Sequence, residues 1–377
     1  LSISAALALH QLNAPSNLQK VMSFTDNRQD AALQAGHFND FISTALIRSA
    51  ICHAVSSRGR LTHADIAQAV AASLDLKQEE YADTPSGLSS GRTANEKALQ
   101  SYLFYRVVED LRRGWRVILP NLEQCALLQI DYEDLDEMAQ DHFWQNVPDM
   151  AACTFEKRKS ILFNLFEFMR SQFAIYSVNY ETNQKENNEN EIRQRLKAPW
   201  KFDAQERPYT PAWMRIGKTS ARVNTQSLHY MSAWGKYLKH EISQPGLRGE
   251  RINEITRQIL EVLSGDDMGY LKVNNSLDKE QPLYQLPIER ILWKPGDGIK
   301  VPLDRVRLRI RDESPNPPNE YFKEFYRREI ASLKYRLAGE HTGQLGAARR
   351  VQNEMAFRHE KEIKPEERLT ALFCSPT

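Results

Sequence analysis

The sequence predicts an α/β fold in which a parallel sheet is interrupted by a large, mostly helical insertion. Three observations predict it. Near the start, Lys20-Val21-Met22-Ser23-Phe24-Thr25 is a short apolar run that breaks into Asp26-Asn27-Arg28-Gln29-Asp30. At the far end, a matching run through Leu372-Phe373-Cys374 reaches Ser375-Pro376-Thr377. Between the two, apolar residues recur mainly at the three-to-four spacing of helices. The layout is that expected of a nucleotide- or nucleic-acid-handling α/β domain with a guest inside it, cut from a longer protein.

Residues 18–25 read as a buried strand, short and apolar, and Asp26 or Asn27 can cap the helix that follows. Ala31, Ala35, Phe38, Ile42, Ala45, Leu46 and Ile51 give that helix one apolar stripe, and Gly59 offers a stop. A second amphipathic helix starts near Leu61, and the stretch Thr84–Thr93 reads as a flexible linker. Residues 95–113 predict a helix closed by Arg112-Arg113-Gly114, with Trp115–Leu119 as a short strand after it. Helices are expected over 121–146 and 155–180. The polar tract Glu181–Asn190 reads as either solvated helix or disordered, with disorder the plainer reading, and 199–226 as irregular.

The spacing of Ile252, Ile255, Ile259, Leu260 and Leu263 predicts a helix over 251–263, with strands at 269–273 and 284–286. A helix followed by two short strands is the closing half of a winged helix. Residues 301–311 alternate, with Val306, Leu308 and Ile310 on one face and Arg305, Arg307, Arg309 and Arg311 on the other, as in a strand. A helix over 320–337, a turn at His341-Thr342-Gly343, a helix over 346–361 and a strand from Leu369 to Cys374 complete the chain.

Composition bounds the function classes. The length of 377 residues suits two or three domains. The 50 basic and 49 acidic side chains nearly cancel, so any basic surface is local. Cys52, Cys125, Cys153 and Cys374 are far apart, which supports neither a zinc site nor a disulfide framework and favours a cytoplasmic location. No run approaches the ~18 apolar residues of a membrane span. Gly217-Lys218-Thr219-Ser220 imitates the end of a phosphate-binding loop. Ala212 stands where that loop requires glycine, and Pro208-Tyr209-Thr210-Pro211 is no strand, so the match is a decoy.

Phe24-Thr25-Asp26-Asn27-Arg28-Gln29-Asp30-Ala31 resembles the fourth conserved motif of superfamily-two helicases. Glu340-His341-Thr342-Gly343-Gln344-Leu345, with Arg350 and Phe357 after it, resembles the segment before the fifth motif, and Phe373-Cys374-Ser375-Pro376-Thr377 resembles the opening of the fifth motif itself. Asp110-Leu111-Arg112-Arg113-Gly114-Trp115 and Pro120-Asn121-Leu122-Glu123-Gln124-Cys125 extend the likeness into the insertion. Together they resemble the large bacterial DEAD/DEAH-type helicases, the DrmA-like helicases of phage defence and, more distantly, the MrfA-like repair helicases.

The resemblance implies a partial RecA-like sheet of the P-loop NTPase type. Residues 1–57 would be the first part of the second RecA-like domain, 58–319 a mainly helical insertion with its winged-helix candidate at 251–293, and 320–377 the continuation up to the fifth motif. It also implies an ATP-dependent translocase whose ATP and Mg2+ are held by other parts of the parent protein, this portion being inactive alone and carrying no catalytic residue and no metal. Thr25, Asn27, Arg28, Gln29, His341, Thr342, Gly343, Ser375 and Thr377 are then expected to grip one nucleic-acid backbone, more readily DNA. Helix N-termini and polar loops outside the carboxyl ends of strands suit such a ligand. Arg305, Arg307, Arg309 and Arg311 form a candidate basic patch, with a charged edge strand as the plainer alternative. Implied partners are nucleic acid and proteins of a bacterial defence or repair system, without a membrane. The rival expectation is a non-enzymatic DNA- or protein-binding module built on the insertion.

Overall fold

The computed structural model describes residues 12, 19–112, 119–219, 222–243, 247–266, 268–278, 281–307, 317–328, 330, 333–334 and 336–375. β1 (Val21–Phe24) leads directly into α1 (Arg28–Arg58), whose first turn is closed by the Asn27 side chain accepting from Gln29 N at 2.9 Å. Gly59 ends the helix at φ 76°, a left-handed geometry that glycine adopts without a Cβ penalty. There follow α2 (His63–Leu74), α3 (Ser89–Asp110), β2 (Leu128–Tyr132), α4 (Phe155–Ser171), β3 (Ile175–Tyr176) and α5 (Thr182–Arg195). Next come β4 (Trp213–Arg215), β5 (Thr225–Ser227), α6 (Ala233–Ile242), α7 (Gly249–Ser264), β6 (Lys272–Asn274), β7 (Leu283–Pro287) and β8 (Ile291–Pro295). α8 (Glu320–Arg327), β9 (Leu337–His341), α9 (Ala347–Arg358) and β10 (Leu369–Cys374) close the chain.

The two ends of the sequence meet in one sheet of order β1-β10-β9, parallel throughout. β9, α9 and β10 form a single strand–helix–strand unit, and β10 slots between β9 and the distant β1. Every residue of β10 is buried, as a central parallel strand demands. α1 covers one face, where Phe38 meets Phe373 edge-on at 6.4 Å, and α9 covers the other over Leu372 and Cys374. β1 corrects the expectation of a buried strand. It lies at the sheet edge, and Met22 and Phe24 stay 50% and 73% exposed beside Leu372 and Cys374.

The insertion is built around the far half of α1. From Thr44 to Val55 nearly every side chain is buried whatever side of the helix it occupies, so α1 serves as a trunk shared by both parts. α2 packs on α1 and α3 on α2, and one continuous core runs from the sheet into the insertion. Smaller sheets join it: β2 pairs antiparallel with β8, Leu61 bridges Trp293, and β7 gathers β3, β4 and β6, with β5 beside β4.

Several local expectations change. The stretch expected as a helix over 121–146 contains β2, because Leu128, Ile130 and Tyr132 alternate inward against β8. Only short helical turns follow it, at Leu135–Met138 and Asp141–Trp144. The helix expected to reach 180 ends at Ser171, and α3 begins at Ser89, inside the expected linker. The polar tract at 181–190 is helical as α5. Ile192 and Glu189 are buried, Asn188 donates to the Tyr105 hydroxyl, and Lys185 donates to Pro208 O, so tertiary partners supply what composition lacks. Within 199–226, β4 and β5 add short ordered strands. The helix expected to run to 337 stops at Arg327, and β9 starts at Leu337. Around Val306 the chain turns, with Arg307 N bonded to Asp304 O, so 301–307 is not the expected strand. Residues 308–316, most of the 115–119 strand expectation, and Thr377 lie outside the described residues.

Candidate nucleic-acid interface

Register places Phe24, Cys374 and His341 in one row across β1, β10 and β9. The next residue of each strand, Thr25, Ser375 and Thr342, therefore emerges at the same carboxyl end of the sheet. Thr25 N donates to Cys374 O at 2.9 Å, and Ser375 N donates to His341 O at 3.1 Å, so the ladder continues one step beyond the strands. The Thr25 hydroxyl donates to Asn27 O at 2.9 Å, which folds the chain into the start of α1. Asn27, Arg28 and Gln29 then stand exposed on the first turn of this helix.

Two hydroxyl residues in this row are buried: Thr342 at 2% exposure and Ser375 at 8%. The Ser375 Oγ has no hydrogen-bond partner among the described residues, an expensive condition for a buried hydroxyl. Arg28 forms no ion pair among the described residues. Asp26 and Asp30 flank it, so the turn is not a cluster of cations, and attraction for an anion rests on Arg28 and on the free amides of the helix start. Gly343 and Gln344 are exposed in the turn that leads to α9.

That turn is fastened from the helix side. His341 Nε2 lies 2.7 Å from Glu354 Oε1, and Asn353 Nδ2 donates to Glu340 O at 2.7 Å. A Cβ at Gly339 would sit 2.5 Å from Leu369 Cδ1 of β10 and 3.4 Å from Asn353 Nδ2 of α9, so the glycine leaves room for both neighbours. Burial pushes the neighbouring Cys374 thiol above its usual pKa. Glu354, Asn353 and Gly339 are residues that sequence reasoning passed over. The spacing of Glu354 from His341 matches no local pattern, and only the fold of α9 back onto β9 joins them.

The other candidates fare differently. Arg305 and Arg307 are exposed on either side of buried Val306 in a turn, with Arg307 near Asp304 and over the Phe168 ring; Arg309 and Arg311 lie outside the described residues. Trp293 is 1% exposed and belongs to the core, out of reach of a stacking base. The helix-and-hairpin at α7, β6 and β7 is present. The solvent side of α7 carries Glu250, Glu254 and Glu261, and Arg257 is paired with Glu254, a poor footprint for a polyanion. Gly217-Lys218-Thr219 is a bend after β4, without the helix start that would cradle phosphates. The described residues hold no cluster of His, Cys, Asp or Glu suited to a metal.

A cleft of about 620 Å3 opens between the sheet and the insertion, near Leu337 and Leu369 at the opposite ends of β9 and β10. Arg336, Arg349 and Lys201 line it together with Asp40, Glu206 and Glu366, so its charge selects no ligand class. Among the described residues no helix is long and apolar enough to cross a membrane. Comparison with protein-family models, curated proteins and solved structures gives no match in any of the three.

Proposed function

We propose that this chain is the strand-gripping part of an ATP-dependent nucleic-acid translocase of the superfamily-two helicase type, acting on DNA. The observation that carries the reading is the row Thr25–Ser375–Thr342 at one end of a parallel sheet, beside the exposed start of a 31-residue helix. Residues from the two ends of the sequence converge there. Amides, hydroxyls and a guanidinium without an ion pair among the described residues suit a phosphodiester backbone, a ligand that carries no base-edge information. ATP and Mg2+ belong, in this proposal, to parts of the parent protein beyond this chain.

The test is binding of a labelled oligothymidylate to the chain across a salt series, read by fluorescence anisotropy. Affinity is expected to fall as salt rises, and Arg28→Ala is expected to reduce the logarithmic salt slope by about 0.7, the value of one single-strand phosphate contact. Binding that ignores both salt and Arg28 would overturn the proposal.

A further inference from the structure

Glu354 projects from α9 with a side chain 41% exposed, and it faces the end of β9. Its Oε1 is 2.7 Å from His341 Nε2. A carboxylate only accepts, so the hydrogen sits on Nε2. Its Oε2 is 3.8 Å from Arg358 Nη2 one helical turn on, which holds the carboxylate from behind. Beside it, Asn353 ties α9 to Glu340 O, and from the sheet side Ser375 N holds His341 O. The turn carrying Thr342 and Gly343 begins at the point where these bonds converge.

We propose that Glu354 is a positioning residue for the nucleic-acid grip. It fixes the His341 ring and so sets the height of the Thr342–Gly343 turn, while making no contact with the strand. This inference rests on the reading of the site given above. A bystander carboxylate near a polyanion repels it, so removing one tightens binding. A positioning carboxylate acts with the opposite sign, and that contrast decides the matter.

The experiment measures oligothymidylate binding by the chain in a salt series for Glu354→Ala, Glu354→Gln, Glu354→Lys, His341→Ala and the His341→Ala/Glu354→Ala pair. Glu354→Ala is expected to weaken binding roughly five-fold with an unchanged salt slope, because no phosphate contact is lost. The pair is expected to bind no worse than His341→Ala alone. Glu354→Gln, still an acceptor for Nε2–H, is expected to keep most of the affinity. Glu354→Lys is expected to bind more weakly than the parent chain in spite of its favourable charge, and it carries the test should the alanine variant fail to fold. Tighter or unchanged binding by the alanine or lysine variant, or additive losses in the pair, would overturn the inference. Loss with Arg28→Ala alongside normal Glu354 variants sinks this inference alone. Absence of binding by the parent chain sinks the underlying reading and this inference with it.

Discussion

Arg48 and Arg170 carry their charges into the interior, and each is met by a carboxylate from one of the two sequence phrases that mark the insertion. Arg48, 2% exposed, pairs with Asp110 at 2.6 Å and also donates to Pro120 O and the Tyr326 hydroxyl. Arg170, with its side chain fully buried, pairs with Glu123 at 2.9 Å and Glu167 at 2.6 Å and donates to Leu111 O. Burial acts to lower the Arg48 pKa, but Asp110 and Tyr326 together outweigh it and hold the guanidinium above its ordinary value. Asp110 and Pro120 therefore fasten the insertion to its trunk through Arg48, while Leu111 and Glu123 tie the insertion together through Arg170 of α4. Asp110→Ala leaves Arg48 charged and uncompensated, which costs about 3–5 kcal/mol, measurable as a lower urea midpoint. Replacing both partners by apolar residues, Arg48→Met with Asp110→Leu, is expected to restore most of that loss. The sequence displayed these acidic residues, but their arginine partners lie scores of positions away, where no local pattern leads.

At the scale of elements, the two edges of the main sheet are finished differently. Across the outer side of β9, Asn39 of α1 reaches over like a missing strand: its Nδ2 donates to Ala338 O at 3.0 Å and its Oδ1 accepts from Ala338 N at 2.8 Å. A side-chain amide thus occupies the backbone groups that would otherwise invite another chain. Asn39→Ala is expected to destabilise the fold by about 1–3 kcal/mol through two stranded backbone groups, and to increase aggregation on mild heating, as light scattering would record. The helices α1 and α7 were legible in the sequence because α1 has a clear cap at Asn27 and α7 has one apolar stripe. β2 and α5 were not. β2 hides a period of two inside a longer apolar stretch, and α5 owes its order to Tyr105, Pro208 and the buried side of Ile192 rather than to its own composition.

Across the whole molecule, α1 joins sheet and insertion as one rigid element, with a single core along its length. The unfolding of the two parts is therefore expected to be one transition. All six tryptophans lie between 115 and 293, so their fluorescence reports on the insertion, while amide exchange in β10 reports on the sheet. Coincident urea midpoints from the two probes are expected; separate midpoints would show that the trunk does not couple them. The sequence by itself determined the outer frame: strand runs near both ends, a capped helix after the first, polar turn residues after each strand, and helices between. Those features follow from local rules of periodicity and capping. Only the tertiary structure decided that β10 lies between β9 and β1, that Thr25, Ser375 and Thr342 share a row, and that Glu354 and Asn353 hold the turn. Such pairings are set by burial and hydrogen bonding between segments far apart in the chain, for which neither segment alone carries a signal.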